Sequence, residues 1–197
     1  MAISAKQVQE LRERTGAGMM ECKKALEETS GDVEKAIDLL RTRGAAKAAK
    51  RSGRETKEGA IGSYVHMGGR IGVLVEVGCE TDFVARNEIF QTLIRDLAMH
   101  VAASDPLAVD EAGIAADVVD RERAIFREQV KAEGKPENLW DKITEGKLKK
   151  FYQERTLLRQ PFVKNPDITV GQLVQEATAK TGENIVVRRF VRYAMGE

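Results

Sequence analysis

The stretch IGVLVEVGCETDFVARNEIF (residues 71–90) contains the change of pattern that decides the fold class. Its first part, IGVLVEV (71–77), is rich in β-branched residues and apolar on both faces, which is typical of a central strand. Beyond it, apolar residues recur at helical spacing, at Phe90, Leu93, Ile94, Leu97 and Val101. The sequence therefore predicts a buried strand followed at once by an amphipathic helix.

Two further β-rich runs surround this strand in the predicted sheet. AIGSYVHM (60–67) precedes it, and the Gly68–Gly69 pair between the two runs is a strong signal for a tight hairpin turn. NIVVRRFVRY (184–193) is predicted to be the last strand and to complete a three-stranded antiparallel sheet. Strands grouped among helices favour the α+β class, with a three-stranded antiparallel sheet packed with helices.

Residues 1–44 are predicted to form a separate domain of three short helices. Ser4 and Gln7 have the spacing of a capping box, TGAG (15–18) separates the first two helices, and Asp32 can cap the third, which Gly44 is expected to end. A bundle of this size has a small core. Its outward face is therefore expected to dock on another surface.

The rest of the chain is predicted to be a linker and a larger domain. Residues 45–59 are basic and rich in alanine, and the alanines could extend the third helix until the serine and glycines end it. A solvated hinge is favoured over phosphate contact because no aromatic residue is interleaved with the cations. Residues 60–197 are predicted to be an α+β core and dimerisation domain, with a charged helix near 116–133. A further helix is expected to start at Pro136 and stop at Gly146.

Composition limits the classes of function. The 197 residues carry 32 basic and 31 acidic side chains, so no global field attracts the chain to nucleic acid or to an anionic membrane. No apolar run reaches the length of a transmembrane helix. Cys22 and Cys79 lack metal-ligand spacing and are expected to be buried thiols in a reducing compartment. These features predict a cytoplasmic protein without a membrane partner.

Motifs of enzymes are missing from the sequence. His66 and His100 lie in different predicted elements without a partner for catalysis, and no P-loop or cluster of metal ligands occurs. We therefore expect no catalytic residue, cofactor or metal. RRFVR (188–192) alternates arginines with apolar residues, as RNA-stacking strands do. A half-buried strand needs the same alternation, so the core interpretation is favoured, with an RNA-binding module as the alternative.

Phe83 has two interpretations. It lies seven residues before Phe90, in phase with the predicted helix, so periodicity favours a core position. Thr81 suits an N-cap and Asp82 suits the positive end of that helix. However, Phe83 and Val84 are adjacent and cannot both point inward. The residues alone leave open whether Phe83 is a core residue or a side chain presented to a partner.

Several long motifs resemble bacterial elongation factor Ts in its short form. They cover nearly the whole chain and include LRERTGAGMMECKKALEE (11–28), GSYVHMGGRIGVLVEV (62–77), CETDFVARNE (79–88) and GENIVVRRF (182–190). The resemblance implies a guanine-nucleotide exchange factor, not an enzyme, whose partner is elongation factor Tu in its GDP-bound and nucleotide-free states. It also implies that the N-terminal unit is similar to ubiquitin-associated domains and that nucleic acid is not bound directly.

The resemblance also implies which residues bind the partner. The family's T-D-F-V motif matches Thr81, Asp82, Phe83 and Val84, and in the family this motif dislocates the Mg²⁺ of elongation factor Tu. The resemblance therefore reverses the core interpretation of Phe83. Met19, Met20 and Lys23 match the docking helix of the N-terminal unit, although core packing is an equal alternative for the methionines. His66 matches a hairpin that touches a second domain of the partner.

The copy number of the sheet unit implies the oligomeric state. Long members of the family carry two related copies of this unit, whereas the present sequence has a single T-D-F-V motif and a single GSYVH-type hairpin. Two chains would be needed to present both contact surfaces. The resemblance therefore implies a homodimer with closed two-fold symmetry.

Overall fold

A computed structural model describes residues 3–196 and confirms the α+β class. The helices are α1 (Ala5–Thr15), α2 (Met19–Glu28), α3 (Val33–Arg51), α4 (Asp82–Ala85), α5 (Glu88–Ser104), α6 (Ala116–Ala132), α7 (Trp140–Arg155) and α8 (Val170–Thr181). The strands are β1 (Glu58–Val65), β2 (Ile71–Cys79), β3 (Pro161–Phe162), β4 (Asn165–Thr169) and β5 (Val186–Ala194). The predicted three-stranded sheet has the order β1-β2-β5, and β3 pairs with β4 in a second, small antiparallel sheet.

The described residues divide into two compact units that are interleaved along the sequence. The first unit contains the residues up to Ala60, Val77–Leu93 and Gln172–Val186. The second contains Ile61–Glu76, Ile94–Gly171 and the residues from Val187 onward. The domains predicted from composition, 1–44 and 60–197 with a linker between them, remain a prediction, and their outermost residues 1, 2 and 197 lie outside the described part of the chain.

The N-terminal helices form as the caps predict. The Ser4 hydroxyl accepts a hydrogen bond from the Gln7 N–H at 3.2 Å, and the Gln7 side chain accepts one from the Ser4 N–H at 3.0 Å. Asp32 caps α3 by accepting from the Lys35 N–H at 3.1 Å. The three helices enclose a small core of Val8, Leu11, Cys22, Ala25, Leu26 and Ala36. Local capping and apolar spacing therefore explain this part of the fold.

Two predicted helix ends are wrong. Gly44 does not end the third helix, since α3 continues through the alanine-rich segment to Arg51. Gly146 lies inside α7. A glycine in a helix costs only about 1 kcal/mol relative to alanine, so strong helix formers on both sides can carry the helix across it. A Cβ at Gly44 would lie 3.4 Å from the Ala179 Cβ, so the missing side chain also lets α3 approach α8 closely.

His100 is buried in the second unit and has a structural role there. Its Nε2 lies 3.0 Å from Gln160 Oε1, and the Val163 N–H donates to its Nδ1 at 3.2 Å. Because Nδ1 accepts, the ring proton is on Nε2 and the imidazole is neutral. Burial lowers the pKa of His100 in agreement with this state. The C-terminal part of α5 is thereby joined to the β3 strand region.

In the range 3–196, no helix combines the length and the apolar character needed to cross a bilayer.

Candidate partner-binding site

The T-D-F-V motif forms a short helix directly after the central strand. We call residues 80–87 the α4 corner. Thr81 is the N-cap of α4, and its hydroxyl accepts a hydrogen bond from the Val84 N–H at 3.3 Å. The Cys79 thiol, at the end of β2, donates to the Thr81 carbonyl at 3.2 Å. The corner is thus attached to a buried strand end through short local hydrogen bonds.

Phe83 is 76% exposed, so the core interpretation based on periodicity is wrong. The predicted continuous helix is interrupted, because α4 ends at Ala85 and α5 begins at Glu88. Asn87 starts the new helix by accepting from the Ile89 N–H at 2.8 Å. The interruption removes the phase relation between Phe83 and Phe90. Asn87 before an acidic first turn is an N-cap signal that could have revealed the break.

Val84 is the residue of the motif that faces inward. Its side chain is only 4% exposed, and its neighbour Ala85 is buried as well. Phe83 and Val84 therefore have opposite roles on one turn of helix. Val84 anchors α4 in the first unit, while the Phe83 ring is left for solvent or a partner.

Asp82 stands beside Phe83 on the exposed side of the corner. Its carboxylate forms an ion pair with Arg86, one turn later, at 3.0 Å, and both side chains are largely exposed. An exposed pair of this kind contributes about 0–1 kcal/mol. Asp82 can therefore exchange Arg86 for another hydrogen-bond donor at little cost.

The residues of the predicted docking helix are also exposed. Met19 is 47% exposed and Met20 is 64% exposed, which makes core packing wrong for both. The core of this helix is formed by Cys22, Ala25 and Leu26 instead. Lys23 is half-exposed and lies 3.9 Å from Glu27. An apolar pair beside a cation is thus presented on the outer side of α2.

An acidic residue of α2 forms an ion pair with a basic residue of α3. The Lys47 ammonium donates to the Glu21 carboxylate, and this hydrogen bond lowers the pKa of Glu21 below its usual value. Lys47 belongs to the basic segment predicted as a linker, so at least this cation is paired inside the first unit. Pairing of this kind leaves less of the segment for phosphate contact.

His66 lies in the second unit, just beyond the end of β1. Its ring is exposed, and its Nδ1 lies 3.1 Å from the Tyr64 hydroxyl. The predicted partner-binding residues thus occupy three elements. Thr81, Asp82, Phe83 and Val84 are contiguous on α4, Met19, Met20 and Lys23 share α2, and His66 stands alone on the hairpin.

Two of the three arginines of the RRFVR segment pair with a carboxylate of the neighbouring strand. Arg189 Nε lies 2.6 Å and Arg188 Nη1 3.3 Å from the Glu76 carboxylate, and the Arg189 hydrogen bond lowers the pKa of Glu76. Phe190 is partly buried. This arrangement fits a strand of a folded core and gives no support to a stacking platform for RNA.

Within residues 3–196, no group of three or more His, Cys, Asp or Glu side chains has the geometry to hold a metal ion.

Two residues near the α4 corner were not singled out by the sequence. Glu183 and Asn184, on the loop between α8 and β5, hydrogen-bond to Glu80 and Thr81. They are about one hundred residues away along the chain, and no local pattern predicts such a contact. Their position beside the α4 corner could have been predicted only from the pairing of the strands.

Comparison with known proteins gives the family. The family model described as "Elongation factor TS" matches residues 2–197. Relatives named elongation factor Ts are 56% identical in Desulfosudis oleivorans, covering 99% of this chain and 98% of the relative, and 58% identical in Geobacter metallireducens, covering 100% and 91%. A third, from Syntrophus aciditrophicus, is 55% identical over 100% of this chain and 98% of its own length. The chain therefore belongs to the elongation factor Ts family of translation elongation factors.

Proposed function

We propose that the chain is the guanine-nucleotide exchange factor of elongation factor Tu. It binds the GDP-bound partner, promotes the release of GDP and remains bound until GTP enters. The observation that carries the proposal is the α4 corner, where a largely exposed Phe83 stands beside an anchored Val84. A large aromatic side chain held out by a fixed turn is suited to enter a partner. Family membership gives the identity of that partner.

The chemistry of a GTPase explains how such a wedge can act. A GTPase holds its nucleotide with backbone amides, a P-loop lysine and a Mg²⁺ that bridges the phosphates. Mg²⁺ requires near-ideal octahedral geometry, so a small displacement of its surroundings costs much affinity. In this proposal Phe83 supplies the volume that displaces the partner's backbone. Asp82 leaves Arg86 and accepts hydrogen bonds from the displaced groups.

Binding energy for this displacement has to come from elsewhere on the surface. Coupling is reciprocal, so a chain that weakens GDP binding is itself bound more weakly when GDP is present. We propose that Met19, Met20 and Lys23 dock α2 on the partner and that His66 makes a second contact. Exposed methionines adapt their shape and suit such an interface.

The proposal involves no bond chemistry. The chain acts by stabilising the nucleotide-free partner, so it requires no catalytic residue, cofactor or metal of its own. We further propose that it works in the cytoplasm without direct contact to nucleic acid or membrane.

The exchange function is tested by timing nucleotide release. A matching elongation factor Tu is loaded with fluorescent GDP and mixed with excess unlabelled GDP, with and without the chain. We expect the release rate to rise with the concentration of the chain and then to saturate. A release rate that does not change at any concentration of the chain would contradict the proposal. Salt-dependent binding to RNA in a parallel titration would instead favour the RNA-binding alternative.

We propose in addition that the chain is a homodimer that pairs through the open face of its sheet. In the second unit, several apolar side chains on the strands of this sheet are exposed: Ile61, Val65, Leu74, Val191 and Tyr193. Alternating side chains point to opposite faces of a sheet. Exposed apolar side chains grouped in this way are typical of an interaction site. Two copies joined there would supply the two sets of contact surfaces.

The dimer is tested by a charge on the sheet face. Leu74→Glu is expected to convert dimers to monomers, because a carboxylate at the centre of an apolar interface would be buried without a partner. Leu107→Glu is the matched control, since Leu107 is also 48% exposed, lies in the same unit and is outside the sheet. Sedimentation velocity measures the masses. Equal masses for the two variants would contradict the assignment of this face.

A further inference from the structure

A carboxylate from the loop between α8 and β5 closes on the turn into α4. Glu183 Oε2 accepts hydrogen bonds from the N–H groups of Glu80 at 3.1 Å and Thr81 at 3.0 Å. Its other oxygen, Oε1, accepts from the Thr81 hydroxyl at 2.6 Å. One side chain therefore satisfies three donors where the chain leaves the sheet.

These hydrogen bonds continue into the first turn of α4. The Thr81 hydroxyl has a single proton, which it donates to Glu183, and it uses a lone pair to accept the Val84 N–H at 3.3 Å. Glu183, Thr81 and Val84 thus form one chain of hydrogen bonds. Phe83 lies between Thr81, the N-cap of α4, and Val84, so these hydrogen bonds set the direction of its Cα–Cβ bond.

A second link joins the same turn to the segment after α3. Glu80 Oε1 accepts a hydrogen bond from the Asn184 N–H at 2.6 Å. The Asn184 side chain is buried and donates to the carbonyl of Arg54 at 2.8 Å and to that of Ser52 at 3.5 Å. Arg54 in turn lies 3.4 Å from the second oxygen of Glu80. The base of the corner is therefore held on two sides.

We infer that Glu183 is a positioning residue for Phe83, an inference that rests on the proposed exchange function. Phe83 can displace a partner only if the backbone that carries it stays in place. A side chain that is already fixed in its binding direction also loses less conformational freedom on binding. Packing of Val84 fixes the depth of α4, but depth alone leaves its first turn able to unwind or rotate. Glu183 holds that turn through charge-assisted hydrogen bonds, which are the stronger kind.

Truncation of Glu183 tests the inference. We expect Glu183→Ala to slow stimulated GDP release roughly tenfold, because a small misplacement of an acting group has a large effect on rate. Glu183→Gln is expected to stay within about threefold of the native rate, since its amide keeps an acceptor for the two N–H groups and a donor for the Thr81 oxygen. Glu55→Ala, which removes an exposed carboxylate from the same unit, is expected to match the native chain.

A double variant separates positioning from general stability. If Glu183 acts through Phe83, Glu183→Ala has no further effect on GDP release in a Phe83→Ala background, whereas independent effects multiply. Amide hydrogen exchange in the chain alone gives a second readout, with faster exchange of the Glu80 and Thr81 amides expected in Glu183→Ala. Where Glu183→Ala fails to fold, Thr81→Val is the second variant. It removes the hydroxyl that donates to Glu183 and caps Val84, leaves the two backbone hydrogen bonds of Glu183 in place, and is expected to slow release by less than Glu183→Ala would.

The outcomes distinguish the two proposals. A native chain that leaves GDP release unchanged overturns the exchange function and, with it, the role of Glu183. An active native chain with an equally active, folded Glu183→Ala variant overturns the positioning role alone. Multiplicative effects in the double variant also overturn it. Loss of rate in Glu183→Ala, recovery in Glu183→Gln and absence of effect without the Phe83 ring support it.

Discussion

Phe83→Ala is expected to remove most of the acceleration of GDP release and to leave the chain folded. The ring is 76% exposed, so its loss uncovers little of the core and should change the free energy of unfolding by no more than about 0.5 kcal/mol. Aromatic side chains that enter a partner contribute at least about 2 kcal/mol. That corresponds to a release rate roughly 30-fold slower. Fluorescent GDP release measures the rate, and thermal unfolding checks the fold.

The control for this variant is another exposed apolar residue. Ile125→Ala on α6 removes a side chain that is 40% exposed, and it lies outside all the predicted contact residues. It is expected to stimulate release at the native rate. Native activity of a folded Phe83→Ala chain would refute the wedge. A Phe83→Ala chain that unfolds would restore the core interpretation and transfer the activity to another part of the surface.

Gly59→Ala is expected to be the most destabilising single change proposed here. Gly59 has φ +148°, in the region that side chains rarely adopt, and an added Cβ would lie 2.2 Å from the Val77 carbonyl oxygen and 2.8 Å from the Gly78 Cα. Both atoms are backbone of the neighbouring strand and cannot rotate away. Backbone strain and the clash together should lower the free energy of unfolding by about 3 kcal/mol or more.

Gly72→Ala provides the matched control for Gly59→Ala. Gly72 lies in β2 of the same sheet, and a Cβ there would meet no atom within 4 Å. The substitution also restricts the unfolded chain, so its stability should remain within about 1 kcal/mol of the native value. Urea unfolding followed by circular dichroism compares the midpoints. Equal midpoints for the two variants would show that β1 shifts to accommodate the methyl group.

Local patterns predicted much of the fold. The capping residues Ser4 and Asp32 marked the starts of α1 and α3, and the apolar stripe from Phe90 to Val101 is buried as the spacing indicated. The strong β-former content of residues 71–77 identified the central strand. These features depend on short-range hydrogen bonds and on periodicity, and both can be read along the chain.

The failures have separate physical origins. Gly44 and Gly146 were given too much weight as helix ends, because their neighbours favour helix more than one glycine opposes it. The core interpretation of Phe83 assumed one continuous helix through Asn87. The helix is interrupted there, so the residues before Asn87 no longer follow the apolar spacing of α5. The support of Thr81 by Glu183 depends on strand pairing over a long separation. Pattern reading along the chain has no access to such contacts.

The burial of both cysteines makes the chain well suited to site-specific labelling. Cys22 and Cys79 are fully buried. Burial raises the pKa of Cys79 to about 11, so its reactive thiolate is scarce at neutral pH. A cysteine introduced at exposed Arg86 would therefore react with a maleimide dye almost alone. Its emission would report, in real time, the moment when a partner covers the neighbouring Phe83.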